Sequence, residues 1–285
     1  MSFTSSAVVA GISGWPVKHS RSPRIHNFWL RKYGIDGVYV PLPIAPNDAF
    51  DAFRSLPGLG IAGLNVTTPH KETAYNAVDE TDEWAKQLKA VNTIAVRNGL
   101  LYGTNTDAYG FIEALRESHP TWIASSGPAV VLGAGGAARA VVAALRAERA
   151  PLIRVLNRTI KRAEKLCDDL GNPAIPIPWA QREEALEDAA LVVNTTVLGM
   201  SGQPNLDLGL RNLGAAAVVY DIVYTPLETS FLKEARSRGN IGIDGLGMLL
   251  HQARPGFKEW FGTEPEVDSQ LREYVLADLV TETNR

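Results

Sequence analysis

A lysine near the start of a predicted helix is the residue whose position most directly suggests chemistry. In "GLNVTTPHKE", residues 63–72, a buried strand ends and a helix start follows, with Thr68 as N-cap and Pro69 as first helical residue. Lys71 then falls in the first helical turn, where the macrodipole disfavours a cation by roughly 0.3–1 kcal/mol. An ammonium group can polarise a carbonyl oxygen and give it a proton. The position singles out Lys71 as a candidate functional residue, and we interpret its neighbour His70 as structural or solvent-facing.

Other polar side chains follow predicted strand ends in the first part of the chain. They are Ser20 and Ser22 in "HSRSP", Asn65 and Thr67 in "NVTTPHK", Asn92 in "AVNT", and Asp107 in "GTNTDAYG". Ligands of open α/β sheets gather beyond the carboxyl ends of strands, so we expect these groups to share a site. Paired hydroxyls suit a polyol or a carboxylate. Two of the residues also have structural interpretations, Ser22 as an N-cap before Pro23 and Asp107 as a first-turn helix acid.

A glycine-rich segment, "VVLGAGGAARA", ends a second predicted strand and opens a helix. Gly133, Gly135 and Ala138 fit the pattern G-x-G-x-x-G/A. The first glycine allows a tight turn, the second lets a pyrophosphate approach the backbone, and the small third residue permits close helix–strand packing. The helix N-terminus supplies the anion site. The segment predicts dinucleotide binding, and the alternative is a glycine-rich turn in an α/β core.

The end of the next strand indicates which dinucleotide is bound. An NAD site usually has an acidic residue there, about 20 residues beyond the glycines. This strand ends instead in "LNRTIKR", which places Asn157, Arg158 and Thr159 at the tip and Arg162 one helical step further. A guanidinium can bind a phosphate through two hydrogen bonds. We interpret the segment as a 2′-phosphate pocket, hence NADP, although Arg162 alone could belong to a solvated helix face.

The elements that must position these residues form two alternations of strands and helices. In the first, strands are predicted at residues 7–13, 38–44 and 61–66, a helix at Pro23–Tyr33 with Gly34 as its stop, and a hairpin at residues 93–103. A helix near residues 107–117 follows. The second alternation begins at Pro128, and its predicted elements are "AVVLG", Ala137–Ala147, "LIRVLN", Ile160–Leu170, "LVVNTT" and "AAVVYDIVY". Strands that alternate with helices indicate βαβ units and a parallel sheet.

Composition and charge exclude several classes of protein. The chain has 285 residues and a net charge of −3, which implies no broad basic surface for nucleic acid. No apolar run approaches the ~18–20 residues that span a bilayer, and the first residues do not resemble a signal peptide. The single cysteine, Cys167, fits a reducing cytoplasm, and no histidine or cysteine spacing predicts a metal site.

These motifs together resemble the shikimate dehydrogenase family, the NADP-dependent enzymes of aromatic biosynthesis. The resemblance covers nearly the whole chain and follows the family's order of motifs: "HSRSP", "NVTTPHK", "AVNT", "GTNTDAYG", "GAGGAARA", "NRT", "YDIVYTPLET" and "DGLGMLLHQ". Each motif alone is weak, whereas their order is specific. The resemblance implies an oxidoreductase that reversibly reduces 3-dehydroshikimate to shikimate with NADPH, within chorismate and aromatic amino acid biosynthesis.

The resemblance also implies a fold and domain boundaries. It predicts an N-terminal α/β substrate domain, a Rossmann-type dinucleotide-binding domain and a cleft between them. We place the substrate domain at residues 1–106 and 247–285, because in the family the final helices return to the first domain. The NADP domain is placed at residues 107–246. No nucleic acid or membrane partner is expected, and the chain is expected to act in the cytoplasm as a monomer or homodimer.

The resemblance assigns roles to individual residues. The catalytic group is Lys71, paired with Asp107. The substrate is held by Ser20, Ser22, Asn65, Thr67, Lys71, Asn92, Asp107, Tyr224 and Gln252. The cofactor set comprises Gly133, Ala134, Gly135, Gly136, Ala137, Asn157, Arg158, Thr159, Arg162, Thr195, Ile222, Gly245 and Met248, with Ile222 and Gly245 near the nicotinamide. Gln252 could instead be a helix surface residue, and Tyr224 a core aromatic.

Rival functions remain open. Quinate-preferring members of the family tend to replace the second serine of "HSxSP", so the presence of Ser22 favours shikimate. A quinate/shikimate dehydrogenase with broader substrate or cofactor use is nevertheless the nearest alternative. A non-catalytic NADP sensor would need no proton donor beside a hydroxyl-rich pocket. A folate-linked dehydrogenase would want an aromatic stacking surface instead of small hydroxyls and amides.

Overall fold

The computed structural model describes residues 3–283 of the chain, with side chains described as far as residue 277. The chain divides into two compact units. One unit runs to Thr106 and resumes at Leu250, and the other runs from Asp107 to Leu249. Each unit is built on its own mixed or parallel β-sheet, so the two are described separately.

The first unit contains a six-stranded sheet within its described residues. Its strands are β1 (Val8–Gly14), β2 (Gly37–Pro43), β3 (Ile61–Val66), β4 (Glu80–Thr81), β5 (Thr93–Arg97) and β6 (Leu100–Thr104). They lie in the order β2-β1-β3-β5-β6-β4, with β1 parallel to β2 and β3, and β5 antiparallel to β3 and β6. The first three strands confirm the predicted ones. The predicted hairpin is also confirmed, because Asn98 and Gly99 have φ of 51° and 80°, as a type I′ turn requires.

Helices connect the strands of this sheet, and the two that the sequence predicts do not begin at the expected residues. They are α1 (Ser22–Tyr33), α2 (Ala49–Arg54), α3 (Lys71–Ala77) and α4 (Glu83–Leu88). Ser22 is not the N-cap of α1, since Arg21 occupies that position and Ser22 is the first helical residue. The Ser22 N–H donates to Ser20 Oγ over 3.3 Å, so Ser20 performs the capping role. The helix stops at Gly34 with φ of 64°, as predicted.

The predicted helix start at Thr68 and Pro69 is wrong. The backbone there is still paired with the segment that follows β1, because Thr67 N–H donates to Ser13 O (2.8 Å) and Trp15 N–H donates to Thr68 O (3.1 Å). Helix α3 therefore begins only at Lys71, with His70 as its N-cap. His70 is structural, since it is buried and a ring nitrogen lies 2.9 Å from Ile44 O.

The second unit contains a fully parallel six-stranded sheet within its described residues. Its strands are β7 (Ala129–Leu132), β8 (Ile153–Asn157), β9 (Ala174–Pro178), β10 (Leu191–Asn194), β11 (Val218–Asp221) and β12 (Ile241–Ile243). The order is β9-β8-β7-β10-β11-β12, the doubly wound order of the Rossmann fold. Strands β7, β10 and β11 are fully buried, as expected of parallel strands covered on both faces.

Helices cover this parallel sheet. They are α5 (Asp107–Ser118), α6 (Gly136–Ala147), α7 (Ile160–Leu170) and α8 (Ser230–Ser237). The first three match the predicted helices to within one residue. Cys167 on α7 is 5% exposed, and burial with the nearby Asp168 raises the pKa of its thiol to about 11. The thiol is therefore protonated and shielded at neutral pH.

Two helices complete the chain, α9 (Leu246–Phe261) and α10 (Ser269–Thr283). The division between the units falls within α9. In the first unit, Trp260 Nε1 donates to Ile94 O over 3.0 Å, which fastens α9 to β5. Arg24 on α1 donates to Tyr274 O over 2.8 Å and stacks on its ring, which fastens α10. No helix in the described part of the chain is long and apolar enough to cross a membrane.

Each described sheet has one edge strand that contains two prolines, β2 in the first unit and β9 in the second. Pro41 and Pro43 lie in β2, and Pro176 and Pro178 lie in β9. Asn27 on α1 forms two hydrogen bonds with the outer side of β2: Tyr39 N–H donates to Asn27 Oδ1 (3.2 Å), and Asn27 Nδ2 donates to Tyr39 O (2.8 Å). Proline is tolerated in a sheet mainly on such edges, where its missing N–H would face away from the neighbouring strand.

Candidate functional site

The first unit gathers buried amides and hydroxyls at adjacent strand ends. Asn65 at the end of β3 and Asn92 just before β5 are each 3% exposed. Asn65 lies opposite Thr93 in the antiparallel pair of β3 and β5. Asn65 Nδ2 donates to Thr93 Oγ1 over 3.1 Å, and Thr93 Oγ1 donates to Asn92 Oδ1 over 3.0 Å. Two of the predicted substrate residues are thus connected by a hydroxyl that the sequence analysis did not select.

Ser20 and Thr67 lie in the loops that follow β1 and β3, and Ser22 is the first residue of α1. Ser22 is 4% exposed, whereas Ser20 and Thr67 are half-buried. A Cβ on Gly14 would lie 2.5 Å from the Thr67 methyl group, so a glycine is required for Thr67 to pack against the end of β1. The structure therefore holds Thr67 close to the segment that carries the two serines.

The backbones of Lys71 and Gln252 are held by residues next to or bonded to Asn92. Lys71 is half-buried at the start of α3, and its C=O accepts from Val91 N–H over 2.9 Å, one residue before Asn92. Gln252 is half-buried on α9, and its C=O accepts from the Thr106 hydroxyl over 2.8 Å. The first unit thus brings its predicted substrate residues to one end of its sheet.

The glycine-rich loop of the second unit follows β7 and begins α6. Gly133 has φ of +115°, and a Cβ there would lie 2.6 Å from Thr195 Oγ1. Both the backbone conformation and this close contact therefore require glycine at the position. Thr195 is held in place because its hydroxyl donates to Leu132 O over 2.6 Å. Ala138 is fully buried, as the close helix–strand packing of the motif requires.

Gly135 and Gly136 satisfy the remaining requirement of a dinucleotide loop. Gly135 is the N-cap of α6, and a Cβ on either glycine would meet no atom within 4 Å. The backbone at the N-terminus of this 12-residue helix is therefore not covered by side chains and is open to a ligand. Backbone N–H groups and the helix dipole favour a pyrophosphate at such a position. The loop, with half-buried Ala134 and Ala137, fits NADP(H).

The predicted 2′-phosphate group lies at the carboxyl end of β8. Asn157 is half-buried, and its Nδ2 donates to Thr159 O over 2.8 Å, which shapes the turn. Arg158, Thr159 and Arg162 are exposed. Among the side chains that the structure describes, neither guanidinium forms an ion pair or hydrogen bond. These two guanidinium groups follow a strand of the same sheet that carries the glycine-rich loop, and guanidinium groups are well suited to bind a phosphate monoester.

The remaining predicted residues of the second unit follow β11 and β12. Gly245 N–H donates to Val223 O over 3.1 Å, and a Cβ on Gly245 would lie 2.0 Å from Ile222 O. Gly245 and Ile222 are thus in contact, and glycine is needed for that approach. Tyr224 and Met248 are half-buried, and Asp107 is half-buried at the first position of α5. Lys71 and Asp107 belong to different units, and their pairing stays a prediction.

A buried carboxylate that sequence reasoning missed fixes two loops of the second unit. Asp221, fully buried at the end of β11, accepts from Asn194 Nδ2 (2.9 Å), Thr229 Oγ1 (2.7 Å) and Val223 N–H (3.1 Å). Burial raises the pKa of the Asp221 carboxyl, and these hydrogen bonds partly oppose the rise. The signal was a polar residue directly after each of two buried strands, in "VVN" and "VYD". These contacts position the segments that carry Thr195 and Tyr224.

The sheet order and the glycine loop define the class of protein. The second unit is a Rossmann-like dinucleotide-binding domain, and the first is an α/β domain with an amide- and hydroxyl-rich strand end. A nucleotide domain joined to a domain that presents polar groups for a small hydroxylated molecule is typical of dinucleotide-dependent oxidoreductases.

Comparison with known proteins identifies the family. Residues 12–94 match the shikimate dehydrogenase substrate binding domain, and residues 122–199 match the shikimate/quinate 5-dehydrogenase domain. The shikimate dehydrogenase (NADP(+)) of Paramagnetospirillum magneticum is 56% identical over 95% of this chain and 99% of its own length. That of Rhodospirillum rubrum is 54% identical over 96% of this chain and 98% of its own length. The chain belongs to the shikimate dehydrogenase family.

Solved structures agree with this assignment. The shikimate 5-dehydrogenase of Thermus thermophilus, solved in complex with NADP(H) and shikimate, is 35% identical with a TM-score of 0.84, over 95% of this chain and 99% of that one. The quinate dehydrogenase of Corynebacterium glutamicum, in complex with NAD, is 31% identical with a TM-score of 0.88 over the same shares. The fold is therefore common to family members that differ in their named substrate and cofactor.

Proposed function

We propose that this protein is an NADP-dependent shikimate dehydrogenase, which reversibly reduces 3-dehydroshikimate to shikimate in aromatic amino acid biosynthesis. The observation that carries the proposal is the near full-length similarity, at 56% identity, to a relative named shikimate dehydrogenase (NADP(+)). The site supports the same function. An open glycine loop with uncommitted arginines suits NADPH, and buried amides with hydroxyls suit a small polyol acid.

The cofactor would be held by the second unit. Its pyrophosphate would lie on the backbone of Gly133–Ala137, and its 2′-phosphate on Arg158 and Arg162, with Asn157 and Thr159 shaping the pocket. Ile222, Gly245, Thr195 and Met248 would surround the nicotinamide. When bound, NADPH supplies a hydride to the carbonyl carbon of the substrate. The residues of this chain must therefore orient the ketone and deliver one proton to its oxygen.

Lys71 is proposed to deliver that proton. Its ammonium group polarises the carbonyl oxygen in the reductive direction and transfers a proton to it, giving the alcohol. In the reverse direction the neutral amine accepts the proton from the hydroxyl. Asp107 is proposed to keep the ammonium oriented toward the substrate. Ser20, Ser22, Asn65, Thr67, Asn92, Tyr224 and Gln252 would bind the substrate's hydroxyls and carboxylate.

A quinate/shikimate dehydrogenase with broader cofactor use is the second candidate. It is favoured by the similarity to the quinate dehydrogenase of Corynebacterium glutamicum, solved with NAD. Two observations favour strict shikimate and NADP use instead. Ser22 is present, and no acidic residue follows β8, where Arg158 lies instead. A non-catalytic NADP sensor is disfavoured because it would not need the buried amide group around Lys71.

The deciding experiment is a coupled set of absorbance assays at 340 nm. Formation of NADPH is followed with NADP and shikimate, then with quinate in place of shikimate, and then with NAD in place of NADP. We expect turnover with shikimate and NADP, and kcat/KM values lower by at least tenfold for quinate and for NAD. Equal kcat/KM for shikimate and quinate would support the broader enzyme, and no turnover with either acid would support the sensor.

The setting of the enzyme is proposed on the same basis. A biosynthetic role and a single, buried cysteine fit the reducing cytoplasm. We expect a monomer or a homodimer, which sedimentation of the purified protein would distinguish.

A further inference from the structure

A chain of hydrogen bonds connects the two buried amides of the first unit to a backbone carbonyl. Asn65 Nδ2 meets Thr93 Oγ1 (3.1 Å), Thr93 Oγ1 meets Asn92 Oδ1 (3.0 Å), and Asn92 Nδ2 meets Thr106 Oγ1 (3.0 Å). The chain ends at Gln252 O, 2.8 Å from Thr106 Oγ1. All four of its side chains are at most 5% exposed, so water does not replace these contacts.

Two backbone groups indicate the direction of the bonds in this chain. The Thr106 hydroxyl has two acceptors within reach, Gln252 O at 2.8 Å and Asn92 Oδ1 at 3.2 Å. The shorter contact favours donation to Gln252 O, which leaves Thr106 Oγ1 to accept from Asn92 Nδ2. Thr106 N–H donates to Asn92 Oδ1 over 2.9 Å, which independently orients the Asn92 amide. Because Asn92 Oδ1 can only accept, the Thr93 hydroxyl donates its single proton to that oxygen. Thr93 Oγ1 must therefore accept from Asn65 Nδ2.

The other side of Asn65 is fixed by a buried tyrosine. The Tyr39 hydroxyl donates to Asn65 Oδ1 over 2.6 Å, and Tyr39 is 2% exposed. Its ring stacks on His26 with centroids 4.0 Å apart. The second N–H of Asn65 points toward Asn92 O at 3.4 Å. Both donors of Asn65 are thus committed within the protein, and a ligand would meet this side chain at its oxygen.

We propose that Thr93 is a positioning residue of the substrate site, assisted by Tyr39. Its hydroxyl joins the two amides and sets their polarity, so that Asn65 presents an acceptor to a ligand hydroxyl and rejects a ligand carboxylate. The proposal rests on the proposed function for the identity of that ligand. It concerns residues that do not themselves touch the reacting atoms, and it requires that the Thr93 hydroxyl, rather than its volume, matters.

The chain offers substitutions that separate hydroxyl from volume. The Thr93 methyl group packs near Gly256 on α9, at 3.3 Å from where a Cβ on that glycine would lie. Thr93→Val keeps this methyl and removes the hydroxyl, whereas Thr93→Ser does the reverse. Thr104→Val is the matched control, since Thr104 is the cross-strand neighbour of Thr93 on β6 and its hydroxyl lies outside the hydrogen-bonded chain.

The first test measures kinetics of the full chain with shikimate and NADP. We expect Thr93→Val to raise KM for shikimate about tenfold, equivalent to about 1.4 kcal/mol, with KM for NADP unchanged. Thr93→Ser and Thr104→Val should keep KM within about twofold of the unsubstituted protein. The proposal is overturned if Thr93→Val keeps KM, or if KM rises equally in Thr93→Ser, because volume would then be the cause.

The second test needs no activity and so separates this proposal from the proposed function. In the ligand-free protein labelled with 15N-asparagine, Thr93→Val should shift the side-chain amide signals of both Asn65 and Asn92. Tyr39→Phe should shift that of Asn65, whereas Tyr33→Phe and Thr104→Val should shift neither. Unchanged Asn65 and Asn92 signals in Thr93→Val would overturn the arrangement. Shifted signals in a protein that fails to oxidise shikimate would support the arrangement and refute only the proposed function.

Discussion

Lys71 is the residue on which the proposed chemistry depends most. Lys71→Ala removes the proposed proton donor, and one general acid contributes about 10²–10⁴ in rate. We expect kcat for shikimate oxidation to fall by that factor with little change in KM. Steady-state assays with NADP measure both constants. Lys233→Ala, at an exposed lysine in the first turn of α8, is the control and should keep full kcat. Near-normal kcat in Lys71→Ala would remove this lysine from the mechanism.

Arg158 is the residue proposed to select NADPH over NADH. Hydrogen bonds to a charged group contribute roughly 1.5–3 kcal/mol, or about 10–100-fold in affinity. Arg158→Ala should raise Kd for NADPH by that factor and change Kd for NADH less than about twofold. Fluorescence titration with each cofactor provides the measurement. Arg211→Ala, an exposed arginine elsewhere in the same unit, should change neither constant. An equal loss for both cofactors would refute a 2′-phosphate contact.

Residues proposed to contact a ligand could be selected from the sequence, whereas residues that support them could not. Lys71, Asn65 and Asn92 could be selected because each is a polar residue next to a buried strand. Thr93 could not, since its role comes from lying opposite Asn65 across two strands, a register that the sequence does not display. Asp221 was missed for a similar reason, because its partner Asn194 on the neighbouring strand lies 27 residues away along the chain.

Among the elements, the turn between β7 and α6 allows fold and function to be separated. Gly133→Ala places a Cβ against Thr195 at positive φ, which costs roughly 1–3 kcal/mol. Each kcal/mol lowers Tm by about 2–4 °C in a chain of this size. Gly135→Ala enters open space at φ of −93°, so Tm should stay within about 1 °C while KM for NADP rises. Scanning calorimetry and kinetics of both variants test this contrast. An unstable Gly135→Ala protein would contradict the open geometry.

The prediction of elements succeeded where hydrophobic runs and stop signals coincide. Helix α7 and the β5–β6 hairpin were predicted closely because their boundaries carry strong local signals. The start of α3 was wrong, because backbone pairing of Thr67 and Thr68 with the β1 side overrides the Thr-Pro preference for a helix start. Strand β9 was not predicted, since its alternating prolines disfavour any strand that is not at an edge.

At the scale of the whole molecule, one buried histidine should dominate the first loss of stability in acid. His26 is fully buried among Trp29, Tyr39, Phe257 and Trp260. Burial lowers the pKa of the His26 imidazole to about 3, and the nearby Asn65 side chain opposes part of this shift. Within the described part of the chain, the ring nitrogens of His26 have no partner with hydrogen-bond geometry. In the unfolded chain this histidine has an ordinary pKa of about 6.5, so below that pH it is protonated in the unfolded state and neutral in the folded state. The contribution of His26 to the free energy of unfolding is therefore fully present above pH 6.5 and is lost as the pH falls from 6.5 toward 3.

The expected loss is roughly 1.4 kcal/mol per pH unit below the unfolded pKa. Urea denaturation at pH 7.5, 6 and 5 measures it, and these values lie above the ordinary pKa of carboxylates, about 4. His26→Leu should flatten this dependence, whereas His19→Leu, at an exposed position, should preserve it. An identical slope in His26→Leu and the unsubstituted protein would show that another group causes the loss.

The two alternations along the chain were sufficient to predict βαβ units and a parallel sheet, whereas the two-domain α/β organisation was predicted from the resemblance to the family. They could not indicate that the first sheet is mixed, because the antiparallel β5 follows β3 only after two short helices and the small strand β4. The parallel second sheet was predictable, since each of its central strands is a continuous apolar run.

The proline-bearing edge of β2 has a consequence for the behaviour of the protein at high concentration. Backbone N–H groups two residues apart along a strand point to the same side, so the set at 39, 41 and 43 shares one direction. The Tyr39 N–H is already bonded to Asn27, and Pro41 and Pro43 have none. A strand from a second molecule would find no donor along residues 39–43, and β9 has a similar gap at Pro176 and Pro178. Strand-by-strand aggregation is thereby discouraged at both edges.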